Sequence, residues 1–283
     1  ADRSTWVDTR TRYHRTKEVV VMTLFVDPRT FYDAEYWLSA KKYHTPDGEQ
    51  HVYISPAVGG WHGFQYIAEA IAPLLPPREG GHRKTLLDIG CGGGDLAGRL
   101  MDLGYSSYGC DISEFALENS VDPMRGRLAL ADVTSCPERL EPFRGQMGEW
   151  PDRVGEFPGQ FDIIISSDFL EHVFLSDLEA TFNWLLARCK RWLFFCVATA
   201  GSPDKTEFVH EKGKPVPLEW EATAISGHVN VRRWEWWVSF FESKGLRVDW
   251  QKGYLFQMLR ERNPPWRDTM GWNMETTWFL EKR

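Results

Sequence analysis

No two cysteines of the chain form a C-x-x-C pair, and the five present (Cys91, Cys110, Cys136, Cys189, Cys196) are odd in number. A disulfide framework or a zinc knuckle is therefore not expected; reduced thiols and a cytoplasmic home are. Long apolar runs are missing as well. The longest, Val19 to Val26 and Trp192 to Ala198, fall far short of the roughly 20 residues that a bilayer crossing needs, so both read as buried strands. Cationic charge is in the minority: 33 Lys and Arg against 40 Asp and Glu leave a formal net charge of −7. A chain of that sign offers little to a phosphate backbone, which argues against nucleic acid as a partner. Internal repeats and low-complexity tracts are absent.

What is there is the material of a sizeable core. With 42% hydrophobic and 26% charged residues over 283 positions, the length suits one elaborated α/β domain, or one domain with a small lid. The first twenty residues, polar and Arg-containing from Ala1 on, read as a trimmed tail and carry no functional assignment. The texture changes near Arg78 to Lys84, a polar, glycine-containing linker, and the main domain is placed from residue 84 to 283. Upstream, residues 1–83 read as an extension and a helical lid, with helices Phe31 to Ala40 and Trp61 to Leu75, the second ended by Pro76-Pro77.

From Thr85 strands and helices alternate. Strand Thr85 to Asp88, helix Asp95 to Leu103, strand Tyr105 to Asp111, helix Ser113 to Ser120 and strand Arg127 to Asp132 imply a parallel sheet with crossover connections. An irregular insertion, 133–160, rich in Pro and Gly, interrupts the pattern. It resumes with strand Phe161 to Ser166, helix Leu175 to Lys190 and strand Trp192 to Val197. A second insertion, 200–227, is charged and also rich in Pro and Gly, and reads as a cap over the substrate. Helix Arg233 to Lys244, stopped at Gly245, and strands Leu246 to Trp250 and Thr276 to Glu281 complete seven strands.

The most informative stretch is Leu86-Leu87-Asp88-Ile89-Gly90-Cys91-Gly92-Gly93-Gly94-Asp95, an apolar strand entering a glycine-rich turn and then a helix. Such a turn at the carboxyl end of a strand lets backbone approach a ligand closely, since glycine has no Cβ and tolerates positive φ. A nicotinamide or flavin site reads G-x-G-x-x-G. Here Asp95 stands where the third glycine belongs, and an acid, Asp88, precedes the first, so the fingerprint departs from dinucleotide binding. Asp111 closes the second strand 21 positions after Gly90, where a carboxylate can accept both hydroxyls of a ribose. Asp132 ends the third strand and is placed to accept from a base amino group. Taken singly, each Asp is more often a strand end or a helix cap; together with the loop they form an ordered set along one sheet edge.

With those residues in view, the chain resembles the class I S-adenosylmethionine (SAM) dependent methyltransferase superfamily. The resemblance rests on Leu87 to Gly94, on Asp111, on Ala131-Asp132-Val133 and on Phe161 to Ser167, and covers about Lys84 to Trp250. It implies a three-layer Rossmann-like α/β fold, a seven-stranded sheet with an antiparallel last strand, and SAM lying over the carboxyl ends. Asp88 would then meet the methionine ammonium, through the loop or a water, and Ser167 would lie near the methionine portion. The candidate cofactor set is Asp88, Gly90, Gly92, Asp111, Ile112, Asp132, Val133 and Ser167. None of these motifs speaks to the acceptor.

After the fourth strand comes Asp168-Phe169-Leu170-Glu171-His172-Val173. In a helix, Asp168, Glu171 and His172 would share one face, and a second imidazole, His228, arrives after the cap. An alcohol that accepts a methyl group must lose its proton, and histidine titrates in the right range. His172 and His228 are accordingly the catalytic candidates, against a structural role for either. The D-x-x-E-H string also resembles the acid-x-x-acid-His element of ubiquinone-pathway O-methyltransferases and of small-RNA 2′-O-methyltransferases, where a distant His completes a magnesium site. Asp168 stands where those families carry Glu, and metal-free relatives share similar strings, so a divalent ion held by these residues is one alternative.

Fourteen Trp and seventeen Phe are many for this length. Trp234, Trp237, Val238 and Phe241 follow i, i+3, i+4, i+7 and form one aromatic face for the sheet, leaving Trp236 and Phe240 for a cavity wall or the underside of a lid. Tyr32-Asp33-Ala34-Glu35-Tyr36-Trp37 is similar to the Tyr-containing helix that closes over SAM in many small-molecule methyltransferases, and Gly59 to Gly63 would add to the same pocket. The expectation is therefore a SAM-dependent methyltransferase acting on a hydroxyl of a small molecule. The rivals are a small-RNA 2′-O-methyltransferase, a SAM-binding protein without turnover, and an enzyme that uses SAM for other chemistry.

Overall fold

The computed structural model describes residues 26–38, 42–44, 50–52, 63–76, 81–145, 156–200, 207–262 and 276–283. The expected strand at Val19 to Phe25, the end of the first lid helix at Ser39-Ala40, the start of the second at Trp61-His62 and the wall at Gly59 to His62 lie outside them.

Two one-turn helices, α1 (Pro28–Phe31) and α2 (Ala34–Trp37), stand where one longer helix was expected. Asp33 breaks the run because its carboxylate accepts from the Tyr36 N–H at 3.0 Å and so starts a new turn. A short antiparallel pair, β1 (Lys42–His44) with β2 (Gln50–Val52), and helix α3 (Gly63–Ile71) follow. Then come β3 (Thr85–Ile89), α4 (Asp95–Asp102), β4 (Ser106–Asp111), α5 (Glu114–Glu118), β5 (Leu128–Leu130), β6 (Phe161–Ser167), α6 (Leu175–Arg188) and β7 (Cys189–Cys196). The chain closes with β8 (Phe208–Val209), α7 (Glu221–Ala224), β9 (Asn230–Val231), α8 (Trp234–Ser243), β10 (Leu246–Val248), α9 (Trp250–Glu261) and β11 (Thr277–Lys282).

Seven of these strands form one sheet in the order β10-β11-β7-β6-β3-β4-β5. β3 is parallel to β4 and β6, β4 to β5 and β6 to β7, while β11 runs antiparallel to both its neighbours. The last strand is thus the reversed one, as expected. Strand parity sorts the side chains into two cores. Leu87, Ile164, Leu193 and Phe195 face α6 and α8 through Phe182, Leu185, Trp237 and Phe241. Leu86, Ile163, Ile165 and Phe194 face the other layer, through Ile67 and Ile71 of α3, Leu96 and Leu100 of α4 and Phe256 of α9. Helix α3, grouped with the lid on sequence, therefore packs under the sheet, against α4 and α9.

Four expectations need correction. The sequence extends the sixth strand to Trp250, but the strand stops at Val248, and Asp249, accepting from the Lys252 N–H at 3.1 Å, caps a helix that was not foreseen. That helix escaped notice because it buries only Gly253 and Phe256 and leaves Trp250, Tyr254, Leu255 and Leu259 exposed, blurring its apolar stripe. The third strand is shorter than Arg127 to Asp132, since a 3-10 turn at Val133–Ser135 takes Asp132 as its cap. The cap insertion is not a bare loop: β8 pairs with β9, so it closes at residues 230–231 beyond the expected end at 227. Trp236 and Phe240 stack on each other at 5.4 Å and pack against the core rather than lining a cavity. All five cysteines are free thiols, and no helix among the described residues is long and apolar enough to cross a membrane.

Candidate active site

Because β3, β4, β5 and β6 are parallel, their carboxyl ends share one edge, and the chain runs from β3 outward to β4 and β5 before it crosses back to β6 on the other side of β3. A crevice opens at such a switch point. Here it is a cleft of about 770 Å³ including its open mouth, and its wall contains Gly90, Asp111, Ile112, Asp132, Val133 and His172. Six of the ten candidate residues thus meet in one space. Asp88, Gly92, Ser167 and His228 do not line it.

The glycine loop takes its shape from short backbone bonds. The Gly90 and Cys91 N–H groups both donate to the Cys110 carbonyl, at 2.9 and 3.1 Å, folding the turn back on β4. Gly90, Gly92 and Gly94 have φ of +69°, +52° and +83°, conformations that side chains oppose, and a Cβ on Gly94 would sit 2.9 Å from Met124. Asp111 locks the loop from the next strand. Its carboxylate accepts from the Gly92 N–H and the Ser113 N–H, each at 2.8 Å. Burial raises its pKa, and the hydrogen bonds from Ser113 and Gly92 oppose that rise. Asp88 is buried beneath the loop; burial and then the nearby charge of Asp111 push its pKa well up, against the N–H of Ala97. Asp132 accepts from the Thr134 N–H at 3.0 Å and from its hydroxyl at 2.5 Å, which aims the rest of the carboxylate at the cleft edge.

Beyond β6 the backbone turns sharply. Asp168 takes φ of +51°, rare for a residue with a Cβ, and its N–H donates to the Cys196 carbonyl at 2.9 Å. Only Leu170–His172 then form a turn, of the 3-10 type, so the expected shared helical face of Asp168, Glu171 and His172 does not exist. Asp168 and His172 both reach the cleft while Glu171 does not, and the tertiary fold supplies a different trio. Donor atoms of Glu171, His172 and His228 lie within 4.8 Å of one another, with the two imidazole rings 4.9 Å apart.

The electrostatics of that trio are unusual. Glu171 is fully buried; one oxygen accepts from the Ala198 N–H at 2.7 Å and the other, Oε2, has no partner among the described residues. Burial and then the charge of Asp168 push its pKa well up. Burial, followed by the proximity of His228, holds His172 well below the usual imidazole range, against a hydrogen bond with the Gly227 backbone; burial takes His228 down to about 4. Both imidazoles are therefore neutral near pH 7, the form that accepts a proton or binds a metal.

The family described as methyltransferase domain matches residues 61–251. The chain belongs to that family. The cofactor that goes with this methyltransferase domain is SAM. A ubiquinone biosynthesis O-methyltransferase of Paramagnetospirillum magneticum is 26% identical over 214 residues, covering 73% of this chain and 74% of that protein. Another, of Pseudomonas paraeruginosa, is 34% identical over 99 residues, and the match spans 35% of this chain and 38% of that relative's length. Among solved structures, magnesium protoporphyrin IX methyltransferase of Synechocystis with bound S-adenosylhomocysteine (SAH) is 16% identical, with a TM-score of 0.40 over 78% of this chain and 84% of that one. The glycopeptide N-methyltransferase MtfA is 13% identical, with a TM-score of 0.44 over 77% and 89%. At that distance neither speaks to function.

The wall residues that the sequence left without a role include Phe169, Phe174 and Asp177. Tyr32, Tyr36 and Trp37 of the lid reach the cleft from one side and Phe169, Phe174 and Asp177 from the other. The lid motif flagged the first three as cover without giving any one a partner. Phe169 had a local signal in its place two residues after β6, and a Cβ on Gly90 would lie 3.1 Å from its ring.

Proposed function

We propose that this methyltransferase domain transfers a methyl group from SAM to a hydroxyl oxygen of a small-molecule acceptor. The observation that carries the reading is that one cleft holds the glycine turn, the carboxylates of Asp111 and Asp132 and a neutral imidazole, His172. When bound, SAM supplies an electrophilic methyl on a sulfonium whose positive charge disappears as the methyl leaves. Asp111 and Asp132 hold the sugar and the base, Gly90 and Gly92 admit the backbone to close approach, and Ile112 and Val133 flank the adenine. Asp88 supports the loop from below and Ser167 lies at the methionine end.

The protein's remaining task is to align an oxygen with the methyl in a dry space and to take its proton. His172 accepts that proton on a ring nitrogen, and His228, 4.9 Å away by ring centroid, assists it. Aromatic walls from Tyr36, Trp37 and Phe174 suit a planar or apolar acceptor. The printed names of the ubiquinone biosynthesis O-methyltransferases support oxygen as the nucleophile and a small molecule as its bearer. The test is SAH release from SAM across a panel of catechols and phenols. No turnover on any of them, with tight SAM binding, would favour a binding protein; turnover on small RNA, or SAM products other than SAH, would favour the other rivals.

A second reading has its own observation. A buried carboxylate oxygen without a partner among the described residues, Glu171 Oε2, beside two neutral imidazoles is a donor set for a divalent cation, and its two nitrogens suit Zn²⁺ or Fe²⁺ better than the oxygen-seeking Mg²⁺. Glu171, His172 and His228 would hold the cation, and the ion would lower the pKa of an acceptor hydroxyl. Activity that survives exhaustive chelation and ignores added Zn²⁺, Fe²⁺ and Mg²⁺ disposes of this reading.

A further inference from the structure

The contact between the lid and the imidazole has no counterpart in any sequence motif. Tyr32, between α1 and α2, places its hydroxyl 2.7 Å from Nδ1 of His172 across 140 positions of sequence. Its ring is held edge-on by Phe31 at 5.2 Å, Tyr36 at 5.0 Å and the imidazole itself at 5.7 Å. Its carbonyl accepts from the Ser113 hydroxyl at 2.6 Å, and the same hydroxyl accepts from Trp37 Nε1 at 2.8 Å. Ser113 is in turn fixed by Asp111, whose carboxylate takes its N–H. One serine thus pins the lid at two points to the loop that follows β4, the loop that carries the sugar-binding carboxylate.

A third element closes around the contact. Gly227, in the cap, has φ of +87°, and a Cβ there would run into the Tyr32 hydroxyl and lie 2.6 Å from His172 Nδ1. Only glycine fits both the backbone and the space, so the tyrosine and the imidazole meet in a slot cut for them.

We propose that Tyr32 is a positioning residue for His172: together with the Gly227 backbone that also bonds the ring, its hydroxyl oxygen accepts the Nδ1–H, fixes the tautomer and leaves the lone pair on Nε2 for use in the cleft. A neutral imidazole carries one N–H, and whichever nitrogen holds it cannot accept a proton or bind a cation. The hydrogen bond at the far nitrogen decides which one that is. The lid therefore does more than cover the cleft. Latched through Ser113 to the cofactor loop, it brings in the group that makes His172 competent, and an open lid leaves the tautomer unset.

The proposal rests on His172 working on the acceptor, and its test does not require turnover. Histidine-¹⁵N-labelled full-length protein with SAH is read by NMR, His172 being assigned by its loss in His172→Gln. The wild type is expected to show a protonated Nδ1 and a bare Nε2. Tyr32→Phe, which keeps the ring and its packing, is expected to shift the proton toward Nε2 while SAH affinity stays within about threefold. Ser113→Ala, which releases the latch and keeps the phenol, is expected to move the tautomer in the same direction. With catechol as acceptor, kcat of Tyr32→Phe should fall about 10–100-fold with little change in KM for SAM. An unchanged tautomer in Tyr32→Phe overturns the proposal, as does a wild type with the proton already on Nε2. Failure of the wild type to methylate catechol or any other acceptor bears on the proposed function alone.

Discussion

At the scale of single residues, Gly92 is where backbone geometry and packing agree. Its φ of +52° and the Trp37 ring, 3.2 Å from where a Cβ would be, both oppose a side chain. Gly92→Val is expected to remove measurable SAH binding in calorimetry, and normal affinity in that variant would refute the role of the loop. His172→Ala should leave SAH affinity within a few-fold and lower kcat by about 10²–10⁴, the usual range for loss of a general base. The imidazoles also set a pH dependence. His228 has its pKa depressed to about 4 from an ordinary 6.5, so between those values the unfolded chain takes up a proton that the folded one refuses. Stability is fully present above pH 6.5 and is lost as the pH falls toward 4. His172 is shifted in the same direction. In metal-free protein the loss is of order 2 kcal/mol for His228, below full linkage because the ring keeps some contact with solvent. Urea midpoints at pH 7.5 and 5, compared between the wild type and His228→Gln so that the opposing effect of the raised carboxyls Glu171 and Asp88 cancels, measure it, and the same pH response in both would show that the ring is not enclosed as described.

Among elements, α9 is held at one end by a cap and in the middle by one aromatic side chain. Asp249 accepts from the Lys252 N–H, and its replacement by Ala is expected to cost about 1 kcal/mol. Phe256 is fully buried against Phe194 and Phe279, with ring centroids at 6.4 and 6.2 Å. Phe256→Ala should cost about 3–5 kcal/mol, read as a lowered urea midpoint. Helix α8 shows the opposite balance, since Trp237 and Phe241 are fully buried, while Phe240 is tied in by Phe182 at 5.0 Å. The aromatic richness of the chain is spent largely on joining this helix to the sheet. Among the described Trp, Tyr and Phe residues, those that reach the cleft are the lid aromatics and the pair Phe169 and Phe174.

For the molecule as a whole, lid, sheet edge and cap converge on one cleft, so cofactor binding should be felt globally. SAH at about 100 times its Kd would add about 2.7 kcal/mol to the folded state, a rise in Tm of roughly 5–10 °C for a chain of this size. Differential scanning fluorimetry tests it directly. The rise should shrink in Ser113→Ala, whose lid is untied, and a lid that plays no part would leave it unchanged. The net charge of −7 sets a further condition. Any affinity for RNA should be weak and vanish with added salt, and tight, salt-resistant RNA binding would contradict the small-molecule reading.

Local signals carried much of this protein. Alternating strands and helices, the glycine turn after Asp88 and acids at two successive strand ends specify a parallel sheet and a cofactor edge, because backbone geometry and period-2 or period-3.6 burial are written over a few consecutive residues. Where the signal was local but ambiguous, the reading slipped: Asp249 looked like a strand end and proved to be a helix cap, and Asp168 looked like part of a helix and takes a left-handed turn instead. The site itself was decided by tertiary structure alone. Tyr32, Ser113, His172, Gly227 and His228 are separated by tens of residues and share no period, and they meet because the lid and the cap fold back over the same sheet edge. Hydrogen bonds and packing at that range depend on where whole elements lie, and no window of sequence contains that information.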